Sequence, residues 1–307
     1  MESLEAELAR ARDLDVDDLA DAIASIGFVC TRCGGCCTGY APDEAGGAPA
    51  GDGVDEAGGA PAGDGVDEAT GEPASDDVGD DHESGGSHGE SGSSHDDSGS
   101  HDDSDCHGES DCHDDGATAD REPHTATVFP DEVRAVADAA EDVFGETYDW
   151  RDVARPMPFG LSEDENGDTT GETFEWALAT DDCGDCTFYE ESDGQGACSV
   201  HGSRPLICRT YPFSVALDGT SQPMGEAVDA EGIVRAHECE GLGRDISRED
   251  AAELAAALKR RAVRELEEAI GVRDGYDPAA ADRADGDVIV FDSEGPKAGD
   301  GTPIDGD

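Results

Sequence analysis

The residues of this 307-residue chain best equipped for chemistry are its 11 cysteines, and they come in groups. The first group is Cys30-x2-Cys33-x2-Cys36-Cys37, with Gly34 and Gly35 between thiols. The second opens with Cys183-x2-Cys186, continues through Cys198 and Cys208, and closes at Cys239. Clustered thiols in a cytoplasmic chain point to metal binding or redox work rather than to structural disulfides. Thiolates gathered round one metal accumulate negative charge, so cations should lie close by. Arg204 and Arg209 flank Cys208 and are placed to neutralise and hydrogen-bond the sulfurs, while Pro205 and Pro212 stiffen the loop that carries it. The alternative is that these arginines pair with nearby acids and the prolines only shape a turn.

Spacing narrows the metal. Three thiols at x2, x2 spacing match the first three ligands of the bacterial ferredoxin run, where loop backbone wraps a 4Fe–4S cube and a fourth ligand comes from elsewhere. Zinc stays open, because a C-x2-C pair also serves zinc sites. Cys36 and Cys37 are adjacent, and adjacent side chains tend to diverge. Cys37 therefore serves a second site or is a free thiol beside the first. Spacing alone does not choose which distal cysteine joins Cys30, Cys33 and Cys36. A Cys198–His201 nucleophile pair is conceivable, but three-residue spacing in a thiol-rich stretch fits a metal neighbourhood better.

The elements that must position these thiols sit in an unusual composition. The chain has 77 acids against 19 cations, a formal charge of −58, and only two lysines, Lys259 and Lys297. Such a charge repels phosphate backbones, so no nucleic-acid partner is expected. No run approaches the length that spans a bilayer, and Met1 to Arg12 lacks the charged and apolar regions of a signal peptide. The expectation is a soluble, cytoplasmic protein with no membrane partner. Residues 41–125 hold 26 acids and one cation, Arg121, yet the remainder is also strongly acidic. Acidity spread over the folded segments, with arginine preferred to lysine, suits a salt-rich cytoplasm in which charge is screened.

Residues 41–125 read as a disordered low-complexity insert. DEAGGAPAGDGV occurs at 43–54 and again at 55–66, with a diverged copy at 67–78, and nothing in it can bury a core. A Ser/Asp/Gly/His phase follows, with His82, His88, His95, His101, His107 and His113 at six- or seven-residue intervals, the last two following Cys106 and Cys112. It reads as an expanded linker tract, with a metal sponge as the alternative.

Outside the insert, helices are expected at 2–12, at 16–26 with Asp15 as cap, from Pro130 to a stop at Gly145, and from a Ser247 cap to Ile270 with Gly271 beyond. Strands are expected at Phe174–Leu178 and Phe213–Leu217, the latter ending at an Asp218-Gly219 turn. The fold class expected is α+β, mainly helical, with few short strands: a small metal-stapled cysteine-cluster domain. Its parts are 1–40 with the first cysteine loop, the insert at 41–125, the rest of the domain at 126–271, and an acidic tail at 272–307.

Cys30-x2-Cys33-Gly34-x-Cys36-Cys37, followed by Cys186, Cys198, an Arg204-Pro205-x2-Cys208-Arg209-x-Tyr211-Pro212-Phe213 block and a distal Cys239 before Gly241-x-Gly243, resembles the CxxCxxCC family. These are the YkgJ-like cysteine-cluster proteins, whose zinc or iron chelation is inferred from their cysteines and which are often labelled Fe–S oxidoreductases. The resemblance spans roughly 28–40 and 126–245. It implies ligands at Cys30, Cys33, Cys36, Cys37, Cys186, Cys198, Cys208 and Cys239, with Arg204, Arg209 and Tyr211 in the layer around the sulfurs; Cys183 looks additional to the set. It also implies an iron–sulfur cluster or zinc, and a redox or protein partner that the sequence does not identify. Two functions follow: an iron–sulfur protein with an electron-transfer or oxidoreductase role, or a structural zinc module acting through protein interaction. Some relatives are labelled flagellin lysine methylases. That reading ranks lowest here, since no Gly-rich loop follows a convincing strand.

Overall fold

The computed structural model describes residues 3–40, 121–164, 166–192, 195–217, 227–280 and 287–304. The repeats, the histidine tract and the Asp218-Gly219 turn lie outside them. Helix α1 (Leu4–Asp13) starts where the Ser3 hydroxyl accepts from the amide of Ala6, and α2 (Val16–Ile26) starts where the Asp15 carboxylate accepts from those of Asp17 and Asp18. Gly27, at φ +78°, ends α2 and turns the chain toward the first cysteine loop. Helix α3 (Pro130–Phe144) opens on proline and stops at a left-handed Gly145, and a single-turn α4 (Trp150–Val153) follows.

Helix α6 (Arg248–Gly275) runs past its expected end at Ile270, through Gly271. A Cβ on Gly271 would sit 2.6 Å from that of Ser293. The glycine is there to let another segment approach, and its backbone remains helical. Sequence offers no means of telling such a glycine from a terminator.

The expectation of a mainly helical protein with few strands is overturned. About 38% of the described structure is helix and 25% strand, a mixed α+β fold. Its four sheets are β1–β5–β2, built from Thr127–Val128, Trp176–Leu178 and Ala154–Pro156; β8–β10–β9, from Phe213–Val215, Val234–His237 and Ala227–Asp229; β12–β11–β4–β3, from Gly295–Ala298, Val288–Asp292, Thr169–Thr173 and Leu161–Glu163; and the hairpin β6–β7, Tyr189–Ser192 with Gln195–Cys198. These strands are two to five residues long. The expected strands at Phe174–Leu178 and Phe213–Leu217 are present as β5 and β8. The others were missed because a period of two is hard to see over so few residues, and β4 (TTGET) and β6 (YEES) carry little apolar signal. Residues 288–304, expected as part of an acidic tail, form a hairpin that pairs parallel to β4 and buries Ile289, Val290 and Phe291.

Two cores result. The first packs α1, α2 and α6 with β8 and β10, through Leu19, Ile23, Phe213, Val234 and Leu258. The second joins α3 to the β1–β5–β2 sheet through Val128, Val136, Val153 and Trp176, and four cysteines pack into it. Buried Arg261 of α6 donates to the carbonyl of Phe213 at 3.1 Å and the hydroxyl of Thr210 at 3.2 Å, and pairs with Glu265 at 2.6 Å. It thereby fixes the segment that follows Cys208. Among the described residues, no helix is long and apolar enough to cross a membrane.

Candidate metal centre

The first cysteine loop is pinned on both sides. Phe28 bridges Leu242, and the amide of Val29 donates to the carbonyl of Gly241 at 3.0 Å, which lays the start of the loop beside the Cys239 segment. A Cβ on Gly241 would lie 2.5 Å from the Val29 carbonyl, so only glycine allows that approach. Farther on, the amide of Gly196 in β7 donates to the carbonyl of Arg32, held at φ +60°. Gly34, at φ +80°, packs under Tyr189, whose hydroxyl would be 2.2 Å from an added Cβ. The amide of Cys37 closes a turn onto Gly34, and that of Cys186 donates to the carbonyl of Cys37 at 2.8 Å.

The second group hangs on short elements. The β6–β7 hairpin sets Cys198 opposite Tyr189. A 3-10 turn, His201–Ser203, leads to Arg204, whose Nε donates to the His201 carbonyl at 3.3 Å. Helix α5 (Leu206–Thr210) carries Cys208, and its first amide is accepted by Glu132 at 2.8 Å; the same carboxylate caps α3 at Phe129. Burial pushes the Glu132 carboxyl up, although both amides favour its charged form. The Tyr211–Pro212 peptide is cis, and the Tyr211 hydroxyl donates to the carbonyl of Glu238, next to Cys239. The Cys239 sulfur in turn accepts from the amide of Gly241 at 3.4 Å.

Cys30, Cys33, Cys36, Cys37, Cys186, Cys198, Cys208 and Cys239 are all free thiols, and each lies within electrostatic reach of others of the set. Cys30 and Cys33 are exposed, Cys186 is buried, and the other five are half-buried. Cys183 is disulfide-bonded, and a disulfide sulfur is no thiolate ligand. Among the described residues no three His, Cys, Asp or Glu side chains converge tightly enough to hold a metal ion, so the grouping is one of neighbourhood.

Electrostatics registers the crowding. Burial pushes the Cys208 thiol well up, and Cys186, Cys36 and Cys198 push it further. Burial holds Cys186 up at about 11 and also raises Cys198 and Cys239. Cys36 goes the other way, to about 7, because of its hydrogen bond with the Cys37 thiol across 3.7 Å, and the same bond raises Cys37. Arg204 favours the thiolate at Cys36, Cys198 and Cys208. Tyr211 is pushed up to about 12 by burial and by Cys239, Cys36 and Cys33. Arg209 is exposed and, among the described residues, makes no side-chain hydrogen bond or ion pair, so its expected hold on the sulfurs is not seen. Sequence reasoning passed over Tyr189, Glu132 and Arg32. Glu132 had a visible signal, lying three residues after the cap of a proline-initiated helix.

A region in which four or more thiols raise one another is costly without a cation and well suited to one. Soft thiolate donors with a flanking arginine fit zinc or iron–sulfur chemistry. Residues 152–240 match the CxxCxxCC family model. That family is described as a putative zinc- or iron-chelating domain, which supports a metal-binding role. The CxxCxxCC match takes in Cys186, Cys198, Cys208 and Cys239 but not the 30–37 loop that spells the pattern, since the loop lies on the other side of 41–120. No curated protein and no solved structure matches the chain.

Proposed function

We propose that this chain is an iron–sulfur protein that exchanges electrons with a partner protein, through a cysteine set split between residues 30–37 and the CxxCxxCC region. The observation that supports this reading is a neighbourhood of eight free thiols in which neighbours raise one another's pKa, with Cys36 facing both the Cys186, Cys198 and Cys208 group and Cys239. Bound to them, a cluster would supply one-electron chemistry. The chain's own part is to hold the thiols, to offset their charge with Arg204, and to leave Cys30 and Cys33 at the surface where a partner can come near. The acid excess keeps the molecule soluble in a salt-rich cytoplasm.

A zinc staple is the second reading. It is favoured by the packing of Cys37, Cys186, Cys198 and Cys208 into the second core, where metal binding would be folding energy. Anaerobic purification decides between them. Brown protein with broad visible absorption that bleaches with dithionite supports the iron–sulfur reading. Colourless protein with stoichiometric zinc overturns it in favour of the staple, and protein with neither metal overturns both.

A further inference from the structure

We infer that the cleft between α6 and the starts of α2 and α3 is a binding site for a small organic anion, an acidic head group carried on an apolar body.

The argument for it begins in the sequence of α6. Its segment Lys259–Arg264 (KRRAVR) holds four of the chain's 19 cations, including one of its two lysines. Arg261 turns inward to Thr210, Phe213 and Glu265. Lys259, Arg260 and Arg264 do not follow it. With Ala256 and Val263 they recur at spacings of three and four, which puts all five on one face of the helix, and all five line a single cleft. Val16 of α2 and Phe129 at the cap of α3 line it as well. The cleft has a volume of about 620 Å³, inside the roughly 300–1,000 Å³ typical of small-molecule sites.

Charge decides what such a cleft would hold. Three cations and two acids line it, against 19 cations and 77 acids in the whole chain. Both acids are already engaged. Asp131 pairs with Arg264 at 2.5 Å, and Glu132 accepts from the amides of Phe129 and Leu206. Lys259 uses one N–H donor on the Leu14 carbonyl, at 2.6 Å, and keeps the others. Arg260 is exposed and, among the described residues, makes no side-chain hydrogen bond or ion pair. The donors left over are therefore cationic, and a guanidinium fork matches a carboxylate or a phosphate. They stand beside an apolar wall: Val16, Phe129 and Val263 line the same cleft, and the Arg264 guanidinium lies 5.2 Å from the centroid of the Phe129 ring. A bare inorganic ion would leave that wall in water, and an uncharged apolar molecule would leave the cations unmatched. An amphiphilic anion satisfies both.

The test is calorimetric titration of the full-length chain as purified, at one fixed KCl concentration, with octanoate, octyl phosphate, octanol and inorganic phosphate. At least one of the two amphiphilic anions should bind at a single site, about tenfold tighter than octanol or inorganic phosphate, the worth of one charge-assisted hydrogen bond. The tighter of the two identifies the head group as carboxylate or phosphate. Arg260→Gln should weaken that probe about tenfold and melt with the parent, since its side chain holds nothing else in the fold. Arg151→Gln, an equal change of charge outside the cleft, should leave the affinity unaltered. Ala256→Asp, which sets a carboxylate in the cleft, should abolish binding; should it fail to fold, the two arginine variants still decide. The inference is overturned if neither anion binds, or if octanol or inorganic phosphate binds as tightly. It is also overturned by an unchanged affinity in Arg260→Gln, or by equal losses in Arg260→Gln and Arg151→Gln. None of these readouts involves metal, so the inference stands or falls apart from the iron–sulfur and zinc readings.

Discussion

At the scale of single residues, the cysteine neighbourhood depends on side chains that are not themselves donors. Arg204 favours three of the thiolates at once, so Arg204→Gln should weaken metal retention by about ten- to a hundredfold, the range found when groups behind metal ligands are removed. Chelator competition would show this, and an unchanged affinity would mean the arginine is ornamental. Gly34→Ala is expected to cost more than about 1 kcal/mol, because a Cβ at φ +80° is strained and meets Tyr189. Its melting curve checks that, with lowered metal content as the accompanying sign. His124 offers a test unrelated to metal. Its Nε2 is sealed from water, and burial, reinforced by Arg155, lowers its pKa to about 4 from 6.5. The unfolded chain then binds the proton more readily than the folded one. Stability is full above pH 6.5 and falls as pH drops toward 4, by up to about 3 kcal/mol. His124→Gln should flatten that part of the pH–stability curve, and a curve of unchanged slope would refute the assignment.

At the scale of elements, the thiol-bearing pieces are too short to stand alone. The five-residue α5 that presents Cys208 is held at its start by Glu132 of α3 and at its end by Arg261 of α6. Arg261→Met should therefore destabilise the protein by about 2–4 kcal/mol, and Arg261→Lys should not restore it, since an ammonium cannot reach Thr210, Phe213 and Glu265 with one planar fork. Thermal unfolding of the two variants settles the point. The helices that frame this site were legible in the sequence because caps and stops act locally: Asp15, Pro130, Gly145 and Ser247 all stand at helix ends. Of the strands, β5 and β8 were anticipated at Phe174–Leu178 and Phe213–Leu217, and the others were not. A three-residue strand such as β2 exists because β5 pairs with it from 20 residues downstream, counted from Pro156 to Trp176. Gly271 misled for the same reason, since its purpose lies in Ser293.

At the scale of the whole molecule, charge and connectivity carry the remaining expectations. With a charge of −58, the folded chain should gain stability as salt rises from about 0.1 M to about 1 M, over which the screening length shortens from about 10 Å to about 3 Å. A melting temperature indifferent to KCl would remove the salt-adapted reading. Tyr40 and Glu122 exchange two backbone hydrogen bonds, of 3.0 and 2.8 Å, so the residues on either side of 41–120 lie next to each other. Replacing 41–120 with a short Gly/Ser linker should leave metal content and melting unaltered, and a fall in metal would return the histidine tract to consideration as a ligand source.

By itself, the sequence determined the donor chemistry, the arginine beside it, the caps of the helices and the acid-rich surface, because each depends on residue type or on neighbours a few positions away. Tertiary structure alone decided that residues 28–29 lie against 241–242, that Cys186 leans on Cys37, and that Cys183 stands apart in a disulfide. Those relations depend on which distant backbones approach within hydrogen-bonding distance, and spacing along a chain carries no record of that.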